Sequence, residues 1–486
     1  MVRGGMLTIS LIEVAERAQN GPKMDEKEWN MGMFRKMQEL SEKYGLKVGE
    51  HERFYDVDNA YADQLFDAAV GYLSERGVYC INTNRAIQFT EEEVREACKE
   101  APSQITVGTE KDARTLAKRE IEDPRPRNIV VGGHSAWNEV LMPLENMIKE
   151  LVRIPRIDYL ETFNYHRIMG REVHGTPMVV YAARKAVERA RIGVRLAGRA
   201  GLALCNYPIL TTTEALIAPK DEERGLRSSD GLLLSVLPDL KVETTLLAAA
   251  IYFDEYGCFG MNGGTGGSVG GFAGGWEGAM IEGIVRNIAA WMIYHDSVQY
   301  MAGLEKLRRS SMQPMEKSES WDVWGGEKTA SWCGFAMRKA LRRHKNTIEM
   351  ASGGSGGQAE DLASVENILY TAVSTIGGMV MGGNLFYVWT PPPPLVSWGI
   401  EVSDAALKAR IKLADLDEML GRIRREKLQS TDFSRDRRIL IYSEPESFFK
   451  PHLACYDYVK QKPTDRFLSG RREAVKYLEE IGLQFD

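Results

Sequence analysis

Side chains able to do chemistry stand just beyond short apolar runs at several places in this chain of 486 residues. His134 follows the run 128–131, and Asn164 and His166 end or follow 159–163. Cys205, Asn206 and Tyr207 come at the end of 201–205, Asn262 follows 258–261, and Gln358 lies beyond 347–350 and Ser352. Histidine moves protons or ligates metals near neutral pH, and a thiolate is a nucleophile and a metal ligand. Amides and a phenol orient small polar molecules. This reading makes His134, His166 and Cys205 the candidate catalytic residues. Asn164, Asn206, Tyr207, Asn262, Phe272 and Gln358 are the candidate substrate-binding residues. Each has an ordinary alternative, since a loop histidine commonly just makes hydrogen bonds and a single cysteine is commonly a small buried apolar residue. Cys205, Cys258, His134 and His166 could form a zinc site only if the fold gathered them. No Cys-x-x-Cys pair supports that, so no metal ligand is assigned.

One stretch stands out by composition. Residues 262–275 read Asn-Gly-Gly-Thr-Gly-Gly-Ser-Val-Gly-Gly-Phe-Ala-Gly-Gly, eight glycines in fourteen positions. An apolar run ends at Met261, and Trp276, Met280, Ile284, Ile288 and Trp291 then recur at helical spacing. Glycine admits backbone angles closed to other residues and leaves amides uncovered, which suits an anion cradle or the close approach of a flat ligand. The spacing fits neither a P-loop nor a dinucleotide fingerprint.

Positioning these residues requires a scaffold of alternating elements. Residues 1–125 read as a mainly helical region. One helix starts after Asp25 and stops at Gly45, a second stops at Gly77, and Thr90-Glu91-Glu92-Glu93 has capping-box form. Short strands are expected at 78–81 and 104–108. A turn-rich linker, Asp123-Pro124-Arg125-Pro126-Arg127, follows. From 128 to 390 the pattern becomes strand, then helix. Strands are expected at 128–131, 159–163, 201–205, 232–236, 258–261, 298–301, 347–350 and 379–381, with helices at 239–256, 276–294, 329–343 and 360–376 among those between them. Eight such units predict an α/β fold, a (β/α)8 TIM barrel over 128–390. Pro391 to Pro394 should be extended and stiff, and 395–486 should add a C-terminal helical layer. In such a barrel the chemistry sits at the C-terminal ends of the strands.

The net charge of −6 argues against nucleic acid or an anionic membrane as partner. Six dispersed cysteines and the lack of a signal-peptide core predict a reduced, cytoplasmic protein. No apolar run approaches the roughly 18 residues that span a bilayer.

Six stretches in register resemble the monomethylamine:corrinoid methyltransferases. They are Lys43-Tyr44-Gly45-Leu46, Arg76-Gly77-Val78-Tyr79-Cys80, Gly108-Thr109-Glu110-Lys111-Asp112-Ala113, Val131-Gly132-Gly133, Ala197-Gly198-Arg199-Ala200-Gly201 and Gly270-Gly271-Phe272-Ala273-Gly274-Gly275. The resemblance implies a barrel that takes a methyl group from a methylamine and gives it to Co(I) of a separate corrinoid protein, working as a homo-oligomer. It further implies a corrinoid (cobalamin) carried by that partner and no tightly bound cofactor on this chain. In that family pyrrolysine ends the third strand, and the matching position here is Cys205. Glutamates follow the fourth and fifth strands there, at places matching Leu233 and Gly264 here. The expectation is therefore a pyrrolysine-independent methyltransferase acting on a small methylated, N-methyl compound. Gly263, Gly264, Gly266, Gly267 and Gly270 would form a smooth wall facing the corrinoid. Two alternatives stay open: a zinc-dependent O- or S-demethylating methyltransferase, and a non-catalytic ligand-binding barrel.

Overall fold

The computed structural model describes residues 8–49, 51–132, 141–165, 167–207, 212–263, 268–300, 305–306, 328–352, 361–387, 392–428, 447 and 449–485. Eight parallel strands close into a barrel in chain order. They are β1 (Ile129–Val131), β2 (Tyr159–Glu161), β3 (Ala203–Asn206), β4 (Gly231–Leu234), β5 (Phe259–Asn262), β6 (Asp296–Tyr300), β7 (Ile348–Ser352) and β8 (Asn384–Tyr387). Seven of the eight overlap the strands expected from the sequence, and the fold class is as expected. The eighth does not. Residues 379–380 end the helix Val365–Val380, and the strand begins only at Asn384. Met379-Val380-Met381 is an apolar triplet between glycine pairs, which imitates a buried strand. The helix runs through Gly377-Gly378 and stops where Gly382 takes a positive φ of 83°.

Two further expectations are corrected. The helix expected at 239–256 spans Thr244–Glu255, because Lys241–Val242 forms a strand parallel to Val78–Cys80. The proline run is not extended past Pro392. That residue is the N-cap of the helix Pro393–Ala409, whose first turn holds Pro393 and Pro394. Proline suits that place because its fixed φ is helical and the first-turn N–H groups have no partner within the helix.

By compactness the chain forms two units, residues 1–105 with 233–349, and residues 106–232 with 350–486. The linkers at 123–127 and 391–394 mark changes of composition, and compactness groups the chain differently. In the first unit, Leu11–Asn20 and Glu91–Glu100 both open with capping boxes, Ser10 with Glu13 and Thr90 with Glu93. Asp25 and Asp58 cap Glu26–Lys43 and Asn59–Glu75. All four helices pack on Trp276–Tyr294, which explains why that helix is buried on every side from Gly278 onward.

In the second unit, charge and close backbone contact secure the entrance of β3. Arg191 on the helix Met178–Leu196 donates to Asp230 and to the Leu202 carbonyl, both sides of the pair being buried. Arg199 Nε donates to Asp112 at 3.0 Å, and the Gly201 N–H reaches the same carboxylate at 3.1 Å. A Cβ on Gly201 would meet the Thr109 carbonyl oxygen at 2.3 Å. Two of the stretches that carried the resemblance, 108–113 and 197–201, thus hold each other in place. The helices Pro393–Ala409, Leu413–Ile423 and Asp465–Glu480 cover Val365–Val380, and Trp398 Nε1 donates to the Ile368 carbonyl at 2.9 Å.

Candidate active site

The second unit carries the ends of β2 and β3. Glu161 pairs in register with Cys205, and Cys205 with Gly231. Registered residues of parallel strands point to one face, and alternate residues point to the other. Tyr159, Glu161, Ala203, Cys205 and Gly231 therefore share a face. Leu160, Leu204 and Leu232 form the opposite one. The helix Met178–Leu196 packs on β3, and a leucine face suits that contact, so the Glu161–Cys205 face looks toward the barrel axis. Glu161, Cys205 and Tyr159 are all fully buried. Burial pushes the Tyr159 phenol well above its ordinary range, with Cys205 and Glu161 adding to the shift, so its hydroxyl stays protonated.

Just past the strands, hydrogen bonds tie the two ends together. The Thr162 N–H donates to the Cys205 carbonyl at 2.8 Å, and Asn164 Nδ2 donates to the Tyr207 carbonyl at 2.8 Å. The Thr162 hydroxyl accepts from the Tyr207 N–H at 3.3 Å and reaches Asn206 Oδ1 at 3.4 Å. Asn164 and Asn206 thus brace the strand ends, and Asn206 lies on the face opposite Cys205. Position in the sequence points to Asn206 and leaves Glu161 unmarked. An acid inside an apolar strand, Tyr159-Leu160-Glu161, was the signal available.

The first unit holds the ends of β4 to β6. Asn262 Nδ2 donates to Gln299 Oε1 at 3.1 Å, and Gln299 Nε2 donates to the Asp296 carbonyl at 2.9 Å. Asn262 is fully buried and stitches β5 to β6. The Gly263 N–H donates to the Leu234 carbonyl at 3.1 Å, and a Cβ there would come within 2.6 Å of Leu233 Cδ2. Gly263 is small in order to pack against Leu233.

The latter half of the glycine run is a tight turn. The Gly270 N–H donates to the Gly274 carbonyl at 2.8 Å, and the Gly274 N–H to the Gly271 carbonyl at 3.0 Å. Both Gly270 (φ 86°) and Gly274 (φ 79°) occupy the left-handed region. A Cβ on Gly274 would press on Phe34 at 3.1 Å, and one on Gly278 would meet the Ala273 carbonyl oxygen at 1.9 Å. Gly270 and Gly274 therefore serve turn geometry, and Gly274 and Gly278 close docking. Among the described residues nothing stands within 4 Å of a Cβ on Gly270, and Phe272 nearby is 43% exposed. His134, His166, Gln358, Gly264, Gly266 and Gly267 lie outside the described residues. Among the described residues, no three His, Cys, Asp or Glu side chains are grouped to hold a metal ion. No helix among the described residues is long and apolar enough to cross a membrane. All six cysteines are buried thiols.

Comparison with known proteins adds a family. Residues 9–314 match the family model described as monomethylamine methyltransferase MtmB. Monomethylamine methyltransferase MtmB of Methanosarcina mazei is 30% identical over 244 residues, covering 49% of this chain and 52% of that protein. MtmB2 of Methanosarcina acetivorans is 29% identical over 245 residues, with the same coverage of 49% and 52%. In sequence, then, the chain spans about half the length of the curated relatives it matches. The crystal structure of the Methanosarcina barkeri monomethylamine methyltransferase MtmB superposes with a TM-score of 0.78, covering 98% of this chain and 99% of that one at 18% identity. At that identity the likeness bears on the fold.

Proposed function

This chain belongs to the monomethylamine methyltransferase MtmB family, and from that premise we propose that it moves a methyl group from a small N-methyl compound to a corrinoid protein. The reaction would need no pyrrolysine. The observation that carries this reading is the end of β3, where the axis-facing residue is Cys205, a standard cysteine, fully buried beside Glu161. The corrinoid, carried by its own protein, would supply Co(I) as the nucleophile that takes the methyl group. This chain then has to bind the donor, orient its methyl carbon outward and exclude water from it. A quaternary or protonated amine leaves as a neutral amine, so no modified residue is required to activate it.

The described residues fit a macrocycle approaching from outside in one respect: nothing stands within 4 Å of the Cβ position of Gly270, and Phe272 beside it is exposed. Tyr207, half-buried just past Cys205, would border the donor. His134 and His166 stay candidate catalytic residues, with a proton to give only where the donor is uncharged. Homo-oligomer formation and a cytoplasmic location are further expectations of this reading.

The test is methylation of a corrinoid protein reduced to Co(I), followed by its absorbance change, with a panel of mono-, di-, tri- and tetramethylated amines. Transfer from at least one donor is expected. No transfer from any donor to any corrinoid protein tried would end the proposal.

A further inference from the structure

Of the buried acids near the strand ends, one lies at the C-terminal, ligand-binding end of its strand. Glu161 is the last residue of β2, fully buried, on the face that looks toward the barrel axis. Taking a carboxylate out of water costs several kcal/mol. In a parallel barrel the C-terminal strand ends are where ligands bind, and the N-terminal ends serve stability. Across the neighbouring strand the registered residue is Cys205, and on the strand beyond it is Gly231, which has no side chain. Two adjacent strands thus present a carboxylate and a thiol side by side near their C-terminal ends, while Gly231 opens the third. Tyr159 lies two residues below Glu161 on the same face, its hydroxyl kept neutral.

We propose that Glu161 is the anionic anchor of the donor site: its carboxylate binds the positive nitrogen of a methylated ammonium seated over Cys205. This deepens the methyl-transfer reading and rests on it only for the identity of the donor. A carboxylate in a low-dielectric surrounding favours a small cation strongly over a neutral molecule of similar size. Tyr159 supplies an aromatic floor of the kind that attracts alkylammonium ions. Glu161 therefore sets the charge preference of the site, and the width beside Cys205 sets how many methyl groups fit.

The test uses the full chain without any corrinoid. Methylammonium, dimethylammonium and tetramethylammonium chloride are titrated into the wild type, Glu161→Gln and Glu161→Asp, followed by calorimetry or ligand-observed NMR, with methanol as an uncharged probe. We expect at least one ammonium to bind the wild type. Glu161→Gln should weaken that binding at least tenfold, and Glu161→Asp, which keeps the charge on a shorter stem, should fall between. Methanol binding should not change. A folded Glu161→Gln protein that binds ammonium ions as the wild type does overturns the proposal, as does a wild type that binds none of the three. If Glu161→Gln fails to fold, Glu161→Asp decides: unchanged ammonium affinity overturns the proposal and a partial loss supports it. The methyl-transfer reading fails separately. Glu161-dependent ammonium binding without transfer to Co(I) would end that reading and leave the cation site standing, and transfer unaffected by Glu161→Gln would do the reverse.

Discussion

Asp230 and Glu161 are both buried acids of the second unit, Asp230 just before the start of β4 and Glu161 at the end of β2, with β3 between the two strands. Asp230 lies one residue before β4, at the entrance end. Burial raises its pKa above the ordinary carboxylate range, and three donors hold the charge against that pull: Arg191, the Leu204 N–H at 2.8 Å and the Arg227 N–H at 2.7 Å. Each donor fixes a piece of backbone, so Asp230 organises the entry into β3 and β4. Glu161 closes β2 at the exit end, on the face that looks toward the barrel axis and beside a thiol. The same side-chain chemistry at one end holds the strands in register and at the other faces the place where a ligand would sit. A buried charge is therefore informative only together with the strand end it occupies.

The strongest challenge to that contrast is Asp230→Ala, which leaves Arg191 buried without its partner. Loss of about 3–5 kcal/mol of unfolding free energy is expected, measured by denaturant titration. A loss no larger than that of an exposed acid would erase the distinction between the two ends. Next comes Gly278→Ala in the first unit, where the added carbon would meet a carbonyl oxygen at 1.9 Å. Overpacking of this kind typically costs about 1–3 kcal/mol, and a neutral result would show that the turn at 270–274 yields easily.

Asp296 sharpens the comparison because it also starts a strand, yet its carboxylate has no hydrogen-bond partner among the described residues. Burial holds its pKa well above the ordinary value, against the pull of Lys345. The folded state thus keeps a proton that the unfolded chain releases above about pH 4, and stability drains away as pH rises from there toward the folded pKa. Asp296→Asn should flatten that slope and gain on the order of 1 kcal/mol at pH 8, with little change at pH 4. A Tm difference independent of pH would refute the assignment. Glu161→Gln should move stability by no more than about 1 kcal/mol while weakening ammonium binding, since its role lies with the ligand.

The smallest effect sets the baseline. Asp63 is 37% exposed and pairs with Arg343 and His344. The bond from Arg343 is the main cause that lowers its pKa to about 2. Its contribution is present above the unfolded value and is lost as pH falls toward about 2. Solvent screening keeps Asp63→Asn below about 1 kcal/mol, and added salt should shrink the difference further.

Much of the fold was legible in the residues because the signals are local. The capping box at Thr90 and Glu93, the cap at Asp25 and the apolar stripe from Trp276 to Trp291 each act within a few residues. The alternation of short apolar runs with helical ones sufficed for eight units and hence the barrel. It failed at the eighth strand, where glycine pairs disguised a helix end.

The site was less legible. In a strand such as Ala203-Leu204-Cys205-Asn206, every residue is buried. Burial on both faces removes the alternation that would tell which side chains look inward. Cys205 lies near the end of its strand, while Asn206 beside it sits on the opposite face and Asn262 Nδ2 donates to Gln299. Position in sequence determined which residues reach the ends of the strands. The register between strands decided which of them face the axis, and it brought Glu161 beside Cys205 from 44 residues away. Register is set by pairing and packing across the whole barrel, so no local pattern could have placed that carboxylate.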